Sequence, residues 1–121
     1  MGRALSSLRA SNVAIIGSGF ASFHNLRIMF SPGRLQDRAF LQRNAAWNAA
    51  VTDAVTEKDE AVRGGKLERW REWPGSYEMH PRGGAEHFLP LVVCAGAAGR
   101  GKGEFWTDEF LGLPIYSYHW T

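Results

Sequence analysis

Asn12-Val13-Ala14-Ile15-Ile16-Gly17-Ser18-Gly19 is the stretch on which the fold class turns. A short β-branched run closed by a Gly-Ser-Gly turn has the pattern of a buried parallel strand, and in open α/β sheets the loop after a strand's carboxyl end is where ligands sit. The expectation is an α/β protein with a partial mixed or parallel sheet flanked by helices. A few residues past the turn come His24 and Asn25.

Upstream, Leu5 and Leu8 predict a short helix from Arg3 to Ala10. Downstream, Ser31-Pro32-Gly33 is a loop. Phe40, Trp47, Val51 and Val55 then recur at helical spacing, predicting one long amphipathic helix from Leu35 to Ala61 whose aromatic stripe is core. Gly64-Gly65 is expected to stop it, with a further helical segment over Leu67–Trp73 ended by Pro74-Gly75, and Trp70 and Trp73 capping the core. His80 to Ala85, with Pro81, Gly83 and Gly84, is irregular. Glu86 to Ala98 has helical character, with Pro90 in the amino-terminal turn where its missing donor costs nothing, so His87 stands at a helix start. Gly99 to Gly103 is a turn, and Leu113 to Trp120 alternates as a final strand with Pro114 at its start.

The bulk numbers bound the function. A chain of 121 residues favours one domain, and 45% apolar with 21% charged residues is ordinary for a globular protein. Fourteen Lys and Arg against 12 Asp and Glu are interleaved rather than gathered on a face, which argues against a nucleic-acid platform. The longest apolar run, Phe88 to Ala98, is about half of the roughly 20 residues a membrane span needs. The one cysteine, Cys94, lies in that run as a small buried hydrophobe, excludes an internal disulfide, and suits a reducing, cytoplasmic compartment. No acidic residue precedes Asp37 while Arg3, Arg9, Arg27 and Arg34 do, a bias shared with transit peptides, and Met1-Gly2-Arg3-Ala4-Leu5-Ser6 loosely fits a myristoylation pattern.

Three of the four histidines, His24, His80 and His87, fall in irregular stretches flanked by glycine or proline, a placement that suits side chains presented to a cleft. The seven residues from His80 to His87 match no standard ligand spacing, so spacing alone leaves hydrogen-bonded structural histidines and metal ligands both open. Gly17-Ser18-Gly19 lacks the Lys-Ser/Thr of a phosphate loop, the frame of a nucleophile elbow and the third glycine of a dinucleotide fingerprint, leaving a turn. His119, alternating with Tyr118 and Trp120, reads as an edge or surface histidine.

Taken together, Ile15-Ile16-Gly17-Ser18-Gly19 with His24-Asn25-Leu26-Arg27, then His80-Pro81 and Glu86-His87-Phe88-Leu89-Pro90-Leu91 with Gly96-Ala97-Ala98, closely resemble the class III extradiol ring-cleavage dioxygenases, in their subunit-B, DOPA-dioxygenase-like branch. The likeness runs from Met1 to the final strand and implies the carboxyl-terminal half of that fold. Met1 then resembles an internal methionine, and the transit and lipid readings lose force.

The resemblance implies an oxidoreductase that uses a non-haem divalent metal, Fe(II) or Zn(II), to bind a catechol beside O2, both oxygen atoms entering as the ring opens next to the diol. It assigns His87 as a metal ligand, His24 as the acid/base histidine or a further metal ligand, Asn25 and His80 as residues that orient substrate, and Glu86 as a partner fixing an imidazole tautomer. Family members are longer and carry further metal histidines in an amino-terminal half, so the chain alone is expected to be weakly active or inactive. A homo-oligomer or a partner chain completing the sheet would compensate. The rival expectation is a non-catalytic half-domain, an interaction module or an incomplete gene product, with an unpaired strand at Asn12–Gly17.

Overall fold

The computed structural model describes residues 1–121. Its framework is a helix, α3 (Arg38–Val55), whose apolar stripe was plain in the sequence: Phe40, Trp47, Val51 and Val55 are all fully buried. The Asp37 side chain accepts the Phe40 N–H at the start of α3, satisfying a donor that a helix end otherwise leaves bare. Around α3 stand α1 (Gly2–Arg9), α2 (Leu26–Met29), α4 (Glu60–Glu68), α5 (Ser76–Met79) and α6 (Leu89–Ala97). Two strands close the chain, β1 (Glu104–Phe110) and β2 (Leu113–His119). The class is therefore mixed α/β, as expected.

The sheet itself differs from the expectation. It is a two-stranded antiparallel hairpin pairing Glu104 with His119 and Phe110 with Leu113, and the backbone turns at Leu111-Gly112 with both residues at positive φ. The run Asn12–Ile16 forms no strand. Between Ala14 and Gly19 no backbone group hydrogen-bonds to another, and Val13 and Ile16 are exposed. A β-branched run signals a strand only when a neighbouring strand receives its N–H and C=O groups; here its flank is α6.

Two helix boundaries also moved. The expected helix from Leu35 to Ala61 is split after Val55, because Asp59 accepts from the N–H groups of Ala61 and Val62 and starts α4 afresh. Gly64 and Gly65 do not stop that helix but lie inside it, where the tertiary packing of Leu67 outweighs their poor helix propensity. Helix α6 begins at Leu89 with Pro90 in its first turn, so His87 lies in the turn before the helix.

Helix α6 is held at its carboxyl end by two arginines. Arg63, 1% exposed, donates to the carbonyls of Ala95, Glu57, Gly99 and Gly101, and Arg9 donates to those of Ala97, Ala98 and Trp120. Among them, the carbonyls of Ala95, Ala97 and Ala98 close the last turn of α6 and carry the negative end of its dipole, so guanidinium groups suit them. At Gly2 and Gly96 the backbones of α1 and α6 come so close that a Cβ on Gly2 would overlap Val93 and Gly96. No helix is long and apolar enough to cross a membrane.

Candidate metal centre and ligand groove

Two backbone bonds set the site. The Phe20 N–H donates to the His87 carbonyl at 2.7 Å, and the His24 N–H donates to the Met79 carbonyl at 2.9 Å, which lays residues 20–24 alongside the irregular segment before α6. The glycines make this approach possible. A Cβ on Gly17 would lie 2.6 Å from Cys94 Sγ and 2.7 Å from the Pro90 carbonyl, and one on Gly19 would overlap the His87 carbonyl. Neither has a positive φ, so both are required for contact rather than for a turn.

The clamp brings His24 and His87 together. Their rings stack with centroids 3.6 Å apart and planes 26° apart, though 63 residues separate them in sequence. Glu86 joins them, its Oε1 3.8 Å from His87 Nε2, and one donor atom from each of the three lies within 4.8 Å of the others. Two imidazoles and one carboxylate from neighbouring turns are the donor set of non-haem Fe(II) facial triads, and equally suit zinc. Burial, then the neighbouring His87, holds the His24 imidazole below its ordinary pKa, against a weaker opposing pull from Glu86. His24 is thus a neutral ring with a free lone pair near pH 7, the form that binds a cation or takes a proton.

The two residues expected to orient substrate are engaged elsewhere. Asn25 is a cap of α2, its Oδ1 accepting from the Ile28 N–H and its Nδ2 donating to the Glu78 carbonyl at 2.7 Å. His80 is wholly buried among Trp47, Trp70 and Phe88. Its Nε2 lies 2.9 Å from the Ala21 carbonyl, which can only accept, so Nε2 carries the proton and Nδ1 is left bare and unpartnered. Trp47 Nε1 donates to the same carbonyl at 3.0 Å. Asn25 has both ends of its amide engaged, and the one free atom of His80, Nδ1, is wholly buried. Both instead hold the segment that carries His24.

A groove of about 670 Å³ opens beside the cluster, within the usual range for small-molecule sites. Its floor is one face of α6, with His87, Leu91, Cys94 and Ala98 at helical spacing. The hairpin lines one side through both of its faces, Trp106, Ser117 and His119 on one and Tyr116 and Tyr118 on the other, with Trp120 following, and residues 12–17 line another side. Ser22 Oγ accepts the Tyr116 N–H, Tyr118 shares a 2.9 Å hydroxyl contact with Thr52, and Trp120 Nε1 donates to the Val55 carbonyl, so three bonds fasten the hairpin to the body.

The chain is 50% identical over 127 aligned residues to a curated protein of Hapsidospora irregularis named dioxygenase tasH. The match takes in 99% of this chain but spans only 38% of that protein's length. No family model matches the chain, and no solved structure matches it.

Sequence reasoning made Glu86 a tautomer-fixing partner, whereas its distance from both rings makes it equally a third donor; its adjacency to His87 was the available signal. The aromatic wall was missed outright. Its residues lie far from the histidines in sequence, and nothing local marks a strand as facing a groove.

Proposed function

We propose that this chain carries part of the active site of a metal-dependent dioxygenase that opens a catecholic ring by extradiol cleavage. The observation that supports this most directly is the convergence of His24, Glu86 and His87, the last of which also lines the groove. The name of the tasH relative agrees with the reaction type, and the class III resemblance of the two histidine motifs supplies the extradiol chemistry.

On this reading His24, His87 and Glu86 hold a divalent ion, Fe(II) or Zn(II), which when bound supplies Lewis-acid activation and a template for the diol. The residues do the rest. His24, whose ring burial and the stacked His87 hold below its ordinary pKa, has one lone pair: where His87 and Glu86 hold the ion without it, that lone pair takes a proton from the diol and returns it to the opened product. Leu91 and Cys94 below and the hairpin aromatics beside the ring exclude water from it. His80 and Asn25 act through position, keeping Ala21 to Asn25 in register with the turn before α6.

Anaerobic calorimetry with Fe(II), or aerobic calorimetry with Zn(II), tests the donor set. One-to-one binding is expected, weakened at least about tenfold by His24→Ala or His87→Ala and less by Glu86→Gln. Binding untouched by either histidine substitution would overturn it. Oxygen uptake with a catechol, in a polypeptide as long as the tasH relative, tests the reaction.

One observation favours a second reading. Residues 14–19 make no backbone-to-backbone hydrogen bond, and all but the half-buried Ile15 are exposed. Backbone N–H and C=O groups left open in this way can template an added strand, so the segment suits pairing with an extended polypeptide, which would make the chain an interaction module. Slowed amide exchange at 14–19 only in the presence of such a polypeptide is the expected sign.

A further inference from the structure

The outer edge of the hairpin combines open backbone with exposed apolar side chains. The two-residue turn at Leu111-Gly112, with both φ values positive, makes Phe110 and Leu113 a hydrogen-bonded pair, so the bonded positions of β1 are its even-numbered residues. Three contacts agree with that phase. Pro114, which has no N–H to give, sits opposite Glu109; the Tyr116 N–H, opposite Thr107, turns away from β1 to Ser22 Oγ; and the Glu109 N–H goes to its neighbour Asp108 Oδ1 at 2.8 Å. The N–H and C=O groups of Phe105 and Thr107, with the Glu109 carbonyl, therefore point out of the sheet edge, where no other strand meets them.

The two edges of the hairpin differ in this. That of β2 is fastened to the body through Tyr116 and Tyr118, whereas all seven residues of β1 are exposed. Phe105, Trp106 and Phe110, with Leu111 of the turn, are 42% to 54% exposed. Sheets cover or pair an edge of this kind, because its free groups accept any strand that fits.

The sequence of β1 is its own complement. It carries Glu104, Asp108 and Glu109 and no cation, so a like strand fits only where acids do not face acids. When two copies lie antiparallel across a two-fold axis centred on Thr107, the whole strand overlaps. Thr107 then faces the partner's Thr107, Trp106 the partner's Asp108, Phe105 the partner's Glu109, and Glu104 the partner's Phe110. Every acid meets an aromatic ring. Moving the axis to Trp106 sets Glu104 against the partner's Asp108, moving it to Asp108 sets that residue against itself, and both leave part of the strand unpaired.

We propose that β1 is a self-association edge, through which two copies of the chain join their hairpins into one four-stranded sheet centred on Thr107. The Thr107 pair exchanges N–H and C=O bonds, and each Phe105 N–H reaches the partner's Glu109 carbonyl. Trp106 and the partner's Trp106 become diagonal neighbours on one face, within aromatic reach. The pairing needs no metal, and Trp106 also lines the groove, so the second copy comes to stand beside it. A short edge whose Glu109 N–H is already engaged makes a weak dimer, with Kd on the order of 100 µM.

Sedimentation equilibrium of the whole 121-residue chain in excess chelator, from about 5 µM to about 1 mM, reads the association. A reversible monomer–dimer equilibrium is expected, with the amides of Phe105 and Thr107 exchanging more slowly at the higher concentration. Thr107→Pro deletes an outward N–H and leaves the hairpin's own ladder whole, so it should raise Kd at least about tenfold while the melting temperature of the dilute chain stays unchanged. Should that variant fail to fold, Thr107→Glu decides: it sets acid against acid on the axis and should weaken the dimer in a way that added salt relieves. A chain that stays monomeric to about 1 mM, or a dimer indifferent to the substitution in a folded variant, overturns the proposal. So does slowed exchange at residues 14–19 in place of Phe105 and Thr107. A lysine-rich extended peptide that protects those two amides in a chain that remains monomeric would give the edge to another occupant and overturn it equally.

Discussion

Acid should loosen this protein through His80, and the size of the effect follows from where that ring sits. It is fully buried against Trp47, Trp70 and Phe88, and burial, opposed by the bond to Ala21 and helped by the nearby Arg71, pushes its pKa from 6.5 down to about 4. Above pH 6.5 the ring is neutral in both folded and unfolded chains and contributes no pH dependence. Between pH 6.5 and about 4 the unfolded chain takes up a proton that the folded chain refuses, so stability falls as pH falls, by ~1.4 kcal/mol per pH unit. The full loss is about 3 kcal/mol, a large fraction of the stability of a small domain. Urea denaturation of the metal-free chain at pH 7, 6, 5 and 4.5 measures it. Phenylalanine fits the same aromatic surroundings and has nothing to titrate, and the Ala21 carbonyl keeps its bond from Trp47. His80→Phe should therefore flatten the curve by about 1 kcal/mol per unit in this window relative to the unaltered chain. Equal slopes in the two proteins would refute the reasoning, as would an NMR titration placing His80 near 6.5.

Two further outcomes probe the scaffold. Gly19→Ala forces a methyl group into the His87 carbonyl, so it should break the Phe20 to His87 bond and weaken Zn(II) binding in calorimetry more than it lowers the melting temperature. Arg63→Met leaves the carbonyls of Ala95, Glu57, Gly99 and Gly101 without their donor, and chemical denaturation should show a loss of about 2–4 kcal/mol.

How far the fold could be read from residues depended on whether the signal was local. Phe40, Trp47, Val51 and Val55 announced α3 because helical periodicity is written within a few turns, and all four are buried as expected. Leu113 to Trp120 announced β2 for the same reason, while its partner β1 was passed over, each of its seven residues being exposed and so lacking an inward apolar face. Asn12–Ile16 carried a local strand signal that pairing, a non-local matter, did not honour. At the site the same division holds. The irregular backbone around His24 and His87 was visible, and motif resemblance pointed to their convergence. That Asn25 Nδ2 and His80 Nε2 donate to the Glu78 and Ala21 carbonyls was not, because a side chain's partner across 53 or 59 residues leaves no mark in its own neighbourhood.

The segment that failed to become a strand links the two readings of function. Residues 14–19 form one wall of the groove, lie against α6 through Gly17 and Gly19, and lead directly into Phe20 and His24. A polypeptide that paired with their free N–H and C=O groups would order the wall and, through the Phe20 to His87 bond, the spacing of the two imidazoles. Metal affinity depends steeply on how well donors are held. If strand addition at 14–19 raises the cation affinity of His24, Glu86 and His87, linkage requires the cation to raise the affinity for the added strand by the same factor, so titrating each in the presence of the other tests the coupling.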